Sequence, residues 1–587
     1  MRFFQSVLAT IVGLFLFSLI FFLLFMIIGV AAGSGGDHVD VRDKTVLELD
    51  LSGIALDYAG KSNYKDFDYF EVSYDGLSDI IRAIDNAASD DRIKGISIID
   101  PMSQLGIAQT KALRDELEKF KKSGKFVVSY ANVYTQQDYY LMSVADTVYV
   151  NPVGNFDFRG LSAELMFFKD LQEKSGVTME VIRHGKYKSA VEPFLDSKMS
   201  DANREQMTAL LQGVWNSVVA DISRSRKIPV GELNAIADGL LARTPEMAKA
   251  RKLVDKIAYE DVYHDGIRHA LGLKDGKKYN KVSIADYAAD ISATIDTDMA
   301  EDEIAIIYAQ GEILQGEGSE TYIGEGSMRR ALQSARKNDK IKAVVLRIDS
   351  PGGSALTSEL IWREVELTRK KKPVVVSMGN VAASGGYYIA CNANKIFAEA
   401  NTITGSIGVF GVLPNLTNLS QRIGINTEVV STHANAADYS PFRPLDNNMR
   451  AFIQEDVERI YKIFVNRVAQ GRKMTAAAVD SIGQGRVWSG TDAKRIGLVD
   501  ALGGLDDAVR EAAKIAKIKE YRTVSYPEYE KDFSDLLNQL GFPFAASKES
   551  ILREELGEEN YQLLQRIKAA SKRTGVQAMM PAEIRIR

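Results

Sequence analysis

A chain of 587 residues exceeds what one hydrophobic core supports, so at least two domains are expected. A composition of 45% hydrophobic and 26% charged residues excludes extensive disorder, and a formal net charge of −5 offers no basic field for a nucleic-acid backbone. The single cysteine, Cys391, excludes an intrachain disulfide and a cysteine-based metal cage, and no metal or cofactor is expected.

Taken in chain order, the first element lies in residues 7–32, which carry no charged side chain. At about 1.5 Å per residue this run is long enough to cross a hydrocarbon core of about 30 Å. It exceeds the apolar region of a cleaved signal peptide, so residues 1–33 are read as a retained signal anchor. Arg2 precedes the run, while Asp37, Asp40 and Asp43 follow it, mixed with Arg42 and Lys44. That balance favours a cytoplasmic start, with everything after Gly33 outside.

From residue 44 to 272 strands and helices alternate. Thr45–Leu51 is the first β-rich run, and further strands begin near Ile93 and Val127. Beyond them Arg183-His184-Gly185-Lys186-Tyr187-Lys188-Ser189-Ala190 leads into the apolar, proline-ended stretch Val191-Glu192-Pro193-Phe194. Residues 273–301 are polar and charge-rich and read as a connector.

Alternation resumes over 302–516. Val344–Ile348 and Val374–Ser377 are short β-branched runs, as parallel strands buried on both faces are, with a helix between them over 357–368. The unit is βαβ and the fold class α/β. The first of these strands runs into Ser350-Pro351-Gly352-Gly353-Ser354, the second into Asn380-Val381-Ala382-Ala383-Ser384-Gly385-Gly386. Ser384 therefore falls at a strand-to-helix turn, where backbone N–H groups can stabilise a developing oxyanion.

The two halves are copies of each other. Asp91-Arg92-Ile93-Lys94 matches Asp339-Lys340-Ile341-Lys342 at an offset of 248 residues, and the same offset carries Asn132-Val133 onto Asn380-Val381, Tyr139-Tyr140 onto Tyr387-Tyr388 and Gly160 onto Gly408. After a three-residue gap Leu253-Val254-Asp255 falls on Leu498-Val499-Asp500. At this offset Ser384 corresponds to Gln136, while Lys188 and Lys186 correspond to Ala436 and Ala434. One copy has kept a serine and lost the lysines; the other has kept lysines and lost the serine.

A serine nucleophile needs a base. Only five histidines occur, none in a convincing position, which turns attention to a lysine desolvated enough to be neutral. On a strand Lys186 and Lys188 would share a face, so spacing alone leaves both open.

Gly185-Lys186-Tyr187-Lys188-Ser189-Ala190 and Ala382-Ala383-Ser384-Gly385-Gly386-Tyr387-Tyr388 resemble the long form of the signal peptide peptidase A family, also called protease IV, from the anchor to about Ala516. The resemblance implies two tandem ClpP/crotonase-like domains in a Ser-Lys protease, with Ser384 as nucleophile and Lys188 as base. It further implies an oxyanion hole from the amides of Gly352, Gly353 and Gly385, and Thr404–Gly408 places Ser406 near the cleft as an accessory residue. The implied substrates are peptides, remnant signal peptides above all. The implied assembly is a homotetramer on the bacterial inner membrane with its catalytic domains periplasmic. Alternatives are a stomatin-partner type of Ser-Lys membrane protease, a crotonase-type acyl-CoA enzyme, and a non-enzymatic membrane scaffold.

Residues 517–587 lie beyond the duplication. Within them 549–573 reads as an amphipathic helix and 579–586 alternates like a terminal strand. Subunit packing is the expected role; a self-inhibitory segment reaching the cleft is the alternative.

Overall fold

The computed structural model describes residues 10, 12–21, 41–51, 54–64, 67–73, 76–101, 103–295, 300–531 and 577–580. The expected spanning run 7–32 falls largely outside the described residues; its described part, residues 10 and 12–21, is helical. Among the described residues no helix is long and apolar enough to cross a membrane. The expected helix over 549–573 also lies outside them.

The first half contributes strands β1 (Thr45–Leu49), β2 (Lys61–Tyr64), β3 (Phe67–Ser73), β4 (Ile93–Ile99), β5 (Phe126–Tyr134), β6 (Thr147–Phe156), β7 (Thr178–His184), β8 (Lys256–Ile257) and β9 (Lys281–Ser283). The second begins with β10 (Glu303–Gln310), β11 (Glu312–Ile313), β12 (Tyr322–Ile323), β13 (Ile341–Ser350), β14 (Gly352–Ser354), β15 (Val374–Ala383), β16 (Lys395–Ala398) and β17 (Ile403–Gly405). It ends with β18 (Val409–Asn415), β19 (Val487–Ser489), β20 (Ala501–Leu502), β21 (Arg522–Tyr526), β22 (Glu528–Lys531) and β23 (Gln577–Met579).

Each half builds a mixed α/β unit around a parallel sheet, and the two sheets repeat one strand order. The first runs β8-β6-β5-β4-β1-β9. The second pairs β20-β16-β15-β13-β10-β21 in the same sequence, all parallel, with β17 and β19 added beside β15. The strands are β-branched because both faces are covered: every residue of β10 is buried. Side-chain bonds repeat too. Tyr139 Oη donates to the Leu253 carbonyl at 2.8 Å and Tyr387 Oη to the Leu498 carbonyl at 2.8 Å. Asp255 accepts from Val148 N, and Asp500 from Ile396 N, both at 2.8 Å.

The segment 273–301 does more than connect. It forms β9, which pairs with β1 as β21 pairs with β10, and the helix Ile284–Ile295, whose Ile284, Tyr287 and Ala288 are buried in the first core. Its polar composition reflects the outward faces of an edge strand and a covering helix.

Among the contacts between the halves are a shared sheet and a buried ion pair. In the third sheet, β12-β11-β14-β23-β18-β7, strand β7 of the first half runs antiparallel to β18 of the second, from Thr178 opposite Asn415 to His184 opposite Val409. Beneath it Asp57 meets Arg347 at 2.6 Å with both side chains buried, and Gln109 Nε2 donates to the other Asp57 oxygen at 3.0 Å. Arg347 Nη1 also donates to Ser377 Oγ and the Met378 carbonyl. Removing one partner of such a buried pair costs about 3–5 kcal/mol.

Candidate active site

Strand β15 runs straight into the helix Gly385–Ala390, and Ser384 is the residue at the corner, with φ 54° and ψ −113°. An L-residue pays about 1–3 kcal/mol for such a conformation. Neighbours hold it there: Ser384 N donates to the Gly405 carbonyl and Tyr388 N to the Ser384 carbonyl, both at 2.8 Å. The bend directs Ser384 Oγ away from the sheet, as sharp strand-to-helix turns do for nucleophilic serines.

Lys188 reaches this corner from the other half of the chain. After β7 the backbone turns at Gly185, φ 103°, and Tyr187 N donates to the Gln484 carbonyl at 2.9 Å. Lys186 and Lys188 lie in this turn and not on a strand, so their faces diverge. Lys186 is exposed, its Nζ 5.0 Å from the centre of the Tyr187 ring, while Lys188 is fully buried. Lys188 Nζ lies 2.9 Å from Ser384 Oγ, 3.0 Å from Ser406 Oγ and 3.2 Å from the Ser406 carbonyl. The two residues meet within one chain.

Burial pushes the Lys188 ammonium well below the ordinary lysine range, because its partners are hydroxyls and a carbonyl that cannot repay the lost hydration of a charge. A neutral amine has two N–H groups and one lone pair. Lys188 Nζ donates to Ser384 Oγ and to Ser406 Oγ and O; a neutral amine that kept its two N–H groups on Ser406 would turn its lone pair toward the Ser384 hydroxyl.

The glycine-rich turn completes the surroundings. Gly352 (φ 99°) and Gly353 (φ 152°) take conformations that side chains resist, and a Cβ at Gly352 would lie 2.7 Å from Gly385 N. The turn after β13 is thereby pressed against the amide that follows Ser384. Gly352 N–H donates to Ser350 Oγ at 3.2 Å, and Gly353 pairs with Ala578 of β23. Thus Gly352, Gly353, Gly385 and Ser406 all gather around Ser384 and Lys188.

The first copy shows what the second has gained. Its corner residue, Gln136, uses its side-chain amide to hold the Gly160 backbone, accepting from Gly160 N at 2.8 Å and donating to the Gly160 carbonyl at 2.9 Å. In the second copy the corresponding carbonyl, Gly408 O, lies 3.4 Å from Ser384 Oγ. Ala436, the counterpart of Lys188, is exposed.

Two glycines that seat the lysine went unremarked in the sequence as such. A Cβ at Gly485, φ 85°, would lie 2.6 Å from Lys188 N, Cα and Cβ, and one at Gly408 would lie 3.1 Å from Lys188 Cδ. No local motif marks Gly485; only its contact across the halves does. We expect Gly485→Ala to displace Lys188 and lower kcat/KM by about 100-fold or more with the fold intact, measured by peptide hydrolysis beside circular dichroism. Unchanged kcat/KM would remove Gly485 from the account.

Comparison with known proteins bears on the whole arrangement. The sequence pattern of peptidase family S49 matches twice, over residues 119–273 and 366–519. The chain is 35% identical over 563 residues to "Protease 4" of Salmonella typhi, covering 92% of this chain and 89% of that one. It is 34% identical over 470 residues to "Serine protease SPPA, chloroplastic" of Arabidopsis thaliana, covering 78% and 68%. Over 196 residues it is 35% identical to "Putative signal peptide peptidase SppA" of Enterococcus faecium, covering 33% and 57%. With two matched segments and such likeness along most of its length, the chain belongs to peptidase family S49 and is a serine protease.

Proposed function

We propose that this serine protease is a membrane-anchored endopeptidase in which Ser384 is the nucleophile and Lys188 the general base. The observation that carries the reading is the 2.9 Å contact between Ser384 Oγ and the Nζ of a buried lysine with no carboxylate partner among the described residues. As Ser384 Oγ bonds to the substrate carbonyl carbon, its proton passes to neutral Lys188. The tetrahedral oxyanion is held by the amides of Gly353 and Gly385, with Gly352 shaping the turn. Lys188 then gives the proton to the leaving amine as the C–N bond breaks. Water, deprotonated by the same lysine, releases the acyl group, and the proton returns to Ser384. Ser406 positions the amine throughout. Each copy is inferred to be a ClpP/crotonase-like unit, a reading supported by the parallel strand order and by glycine-rich turns at strand ends.

The substrates are inferred to be apolar peptides, remnant signal peptides among them; the name of the Enterococcus faecium relative, a signal peptide peptidase, supports this. An uncharged run over residues 7–32 supports a single-pass anchor in the bacterial inner membrane with the catalytic units on the periplasmic side.

Assembly into a ring, a homotetramer by family resemblance, has support in the duplication. Segments 161–167 and 426–432 hold the sequence positions of β18 and β7 in the opposite copies, yet form no strand in the single chain. Residues 161–167 alternate between half-buried and exposed, while Val429 and Val430 are exposed. Pairing 426–432 of one chain with 161–167 of the next would repeat the β7–β18 contact head to tail.

The test is the full chain in detergent, offered a synthetic signal peptide and, separately, a folded protein. We expect cleavage within the apolar stretch, an intact folded protein, and a particle of four chains by light scattering. Absence of peptide cleavage contradicts the substrate assignment; a single-chain particle contradicts the ring.

A further inference from the structure

One side chain of the second copy holds the lysine turn at both ends. Tyr461 lies on the helix Asn447–Arg472 and is buried. Its ring stacks on His184, the last residue of β7, with centres 3.7 Å apart and planes 25° from parallel. Glu458, one turn earlier on the helix, braces the imidazole from the side, both carboxylate oxygens lying 2.8 Å from His184 Nδ1. At its far end Tyr461 Oη donates to Asp480 Oδ1 at 2.5 Å and accepts from Gln484 N at 3.2 Å. Gln484 has φ 51°, a conformation that persists only where neighbours hold it. Its carbonyl receives Tyr187 N, and Gly485 beside it packs on Lys188. The ring fixes residue 184, the hydroxyl fixes the partner of residue 187, and Lys188 follows directly.

The same segment reaches the other group that Lys188 bonds. Gly485 N donates to the Ile407 carbonyl and Ser406 N to the Arg486 carbonyl, both at 2.7 Å. The first copy lacks this arrangement. At an offset of 246 residues the helix Asp201–Arg226 falls on Asn447–Arg472, Trp215 on Tyr461 and Asn234 on Asp480. Trp215 Nε1 donates to Asn234 Oδ1 at 2.8 Å, as Tyr461 does to Asp480, but an indole N–H has no lone pair to accept a backbone amide. Its ring packs against Phe158 of its own copy, whereas Tyr461 packs against a residue of the other. The accepting hydroxyl and the reach across the copies belong to the copy that carries the nucleophile.

We propose that Tyr461 is a positioning residue for the general base, holding the Lys188 turn against the Ser384 corner, with the His184–Glu458 pair as its outer brace. The inference rests on Lys188 being that base. Charged groups around the turn are Glu458, Asp480, Arg183, which donates to the Lys188 carbonyl at 3.3 Å, and Arg486, paired with Glu205 at 2.9 Å. Lys188 Nζ itself meets only hydroxyls and a carbonyl among the described residues, so how tightly the turn is packed governs its protonation. Loosening the turn admits water and favours the ammonium, so less neutral amine is present at a given pH.

The test follows kcat, KM and the pH limb of kcat/KM for peptide hydrolysis by the full chain, Tyr461→Phe and His184→Ala. Tyr461→Phe keeps the ring and removes the acceptor of Gln484 N. It is expected to lower kcat at least about tenfold with KM within about threefold, and to move the limb up by about one pH unit. His184→Ala strips the ring from a half-buried site, and the limb is expected to move the same way, a reading that stands even where Tyr461→Phe folds poorly. A change in stability alone lowers activity equally at every pH; a limb that stays in place in both variants therefore overturns the proposal. A limb that survives in Lys188→Met counts against the base assignment itself, a failure distinct from that of Tyr461.

Discussion

Ser384→Ala is expected to lower peptide hydrolysis about a millionfold, leaving only the residual catalysis that an oxyanion hole and binding contribute. The size of the loss follows from what the side chain alone supplies. Its Oγ is the atom Lys188 Nζ approaches at 2.9 Å, and the corner geometry aims it there. A structural role would predict something else. Ser384→Gly should tolerate the φ of 54° more easily than serine does, so it is expected to keep its thermal midpoint while losing activity equally. Activity of either variant within tenfold of the native chain, by hydrolysis of a fluorogenic peptide, contradicts the assignment.

Lys188→Met is expected to lower kcat/KM by about 10⁴-fold, the upper range for a general base, without loss of stability. Methionine fills a similar volume and suits a fully buried site. The pH dependence separates a base from a packing residue. Burial depresses the lysine's affinity for a proton, so the active, neutral form grows as pH rises through that lowered value. The native kcat/KM should therefore climb with pH along a limb well below the ordinary lysine range, and Lys188→Met should lack that limb. Lys188→Arg should be as inactive as Lys188→Met, since a guanidinium stays charged. Lys186→Ala, altering an exposed side chain, should stay within about twofold of native.

Much of this site is legible in the sequence because its two halves carry local signals. Ser384 is marked by a β-branched strand ending in paired glycines, and Lys188 by a glycine turn before a proline-ended apolar stretch. The repeat offset then places Gln136 and Ala436 where a complete site would need serine and lysine. The choice between Lys186 and Lys188 is a different matter. On a strand the two would be equivalent, and only the turn held by Tyr187 N and the Gln484 carbonyl buries one while exposing the other.

What the sequence conceals are contacts between segments far apart in the chain. Gly485 earns its place from Lys188, nearly 300 positions earlier, and Arg347 from Asp57 across the halves. The terminal strand expected over 579–586 lies mostly outside the described residues; the described strand is Gln577–Met579, and its partner is the glycine turn of the cleft. A polar connector likewise conceals β9, because an edge strand needs only a few apolar positions to dock.

On the proposed assignment, the division of the site between the copies makes their contact part of the chemistry. Strand β7 carries Lys188 to Ser384 by pairing along β18, so each copy supplies a residue that the other replaced by Gln136 or Ala436. The most direct measurement of this claim is mass-spectrometric location of a fluorophosphonate adduct, with its rate of formation followed across pH in the native chain and in Lys188→Met. The adduct is expected on Ser384 alone, forming faster as pH rises in the native chain and slowly at every pH in the variant. An adduct on another residue, or native-rate labelling of Ser384 in Lys188→Met, would contradict a nucleophile and base drawn from two copies.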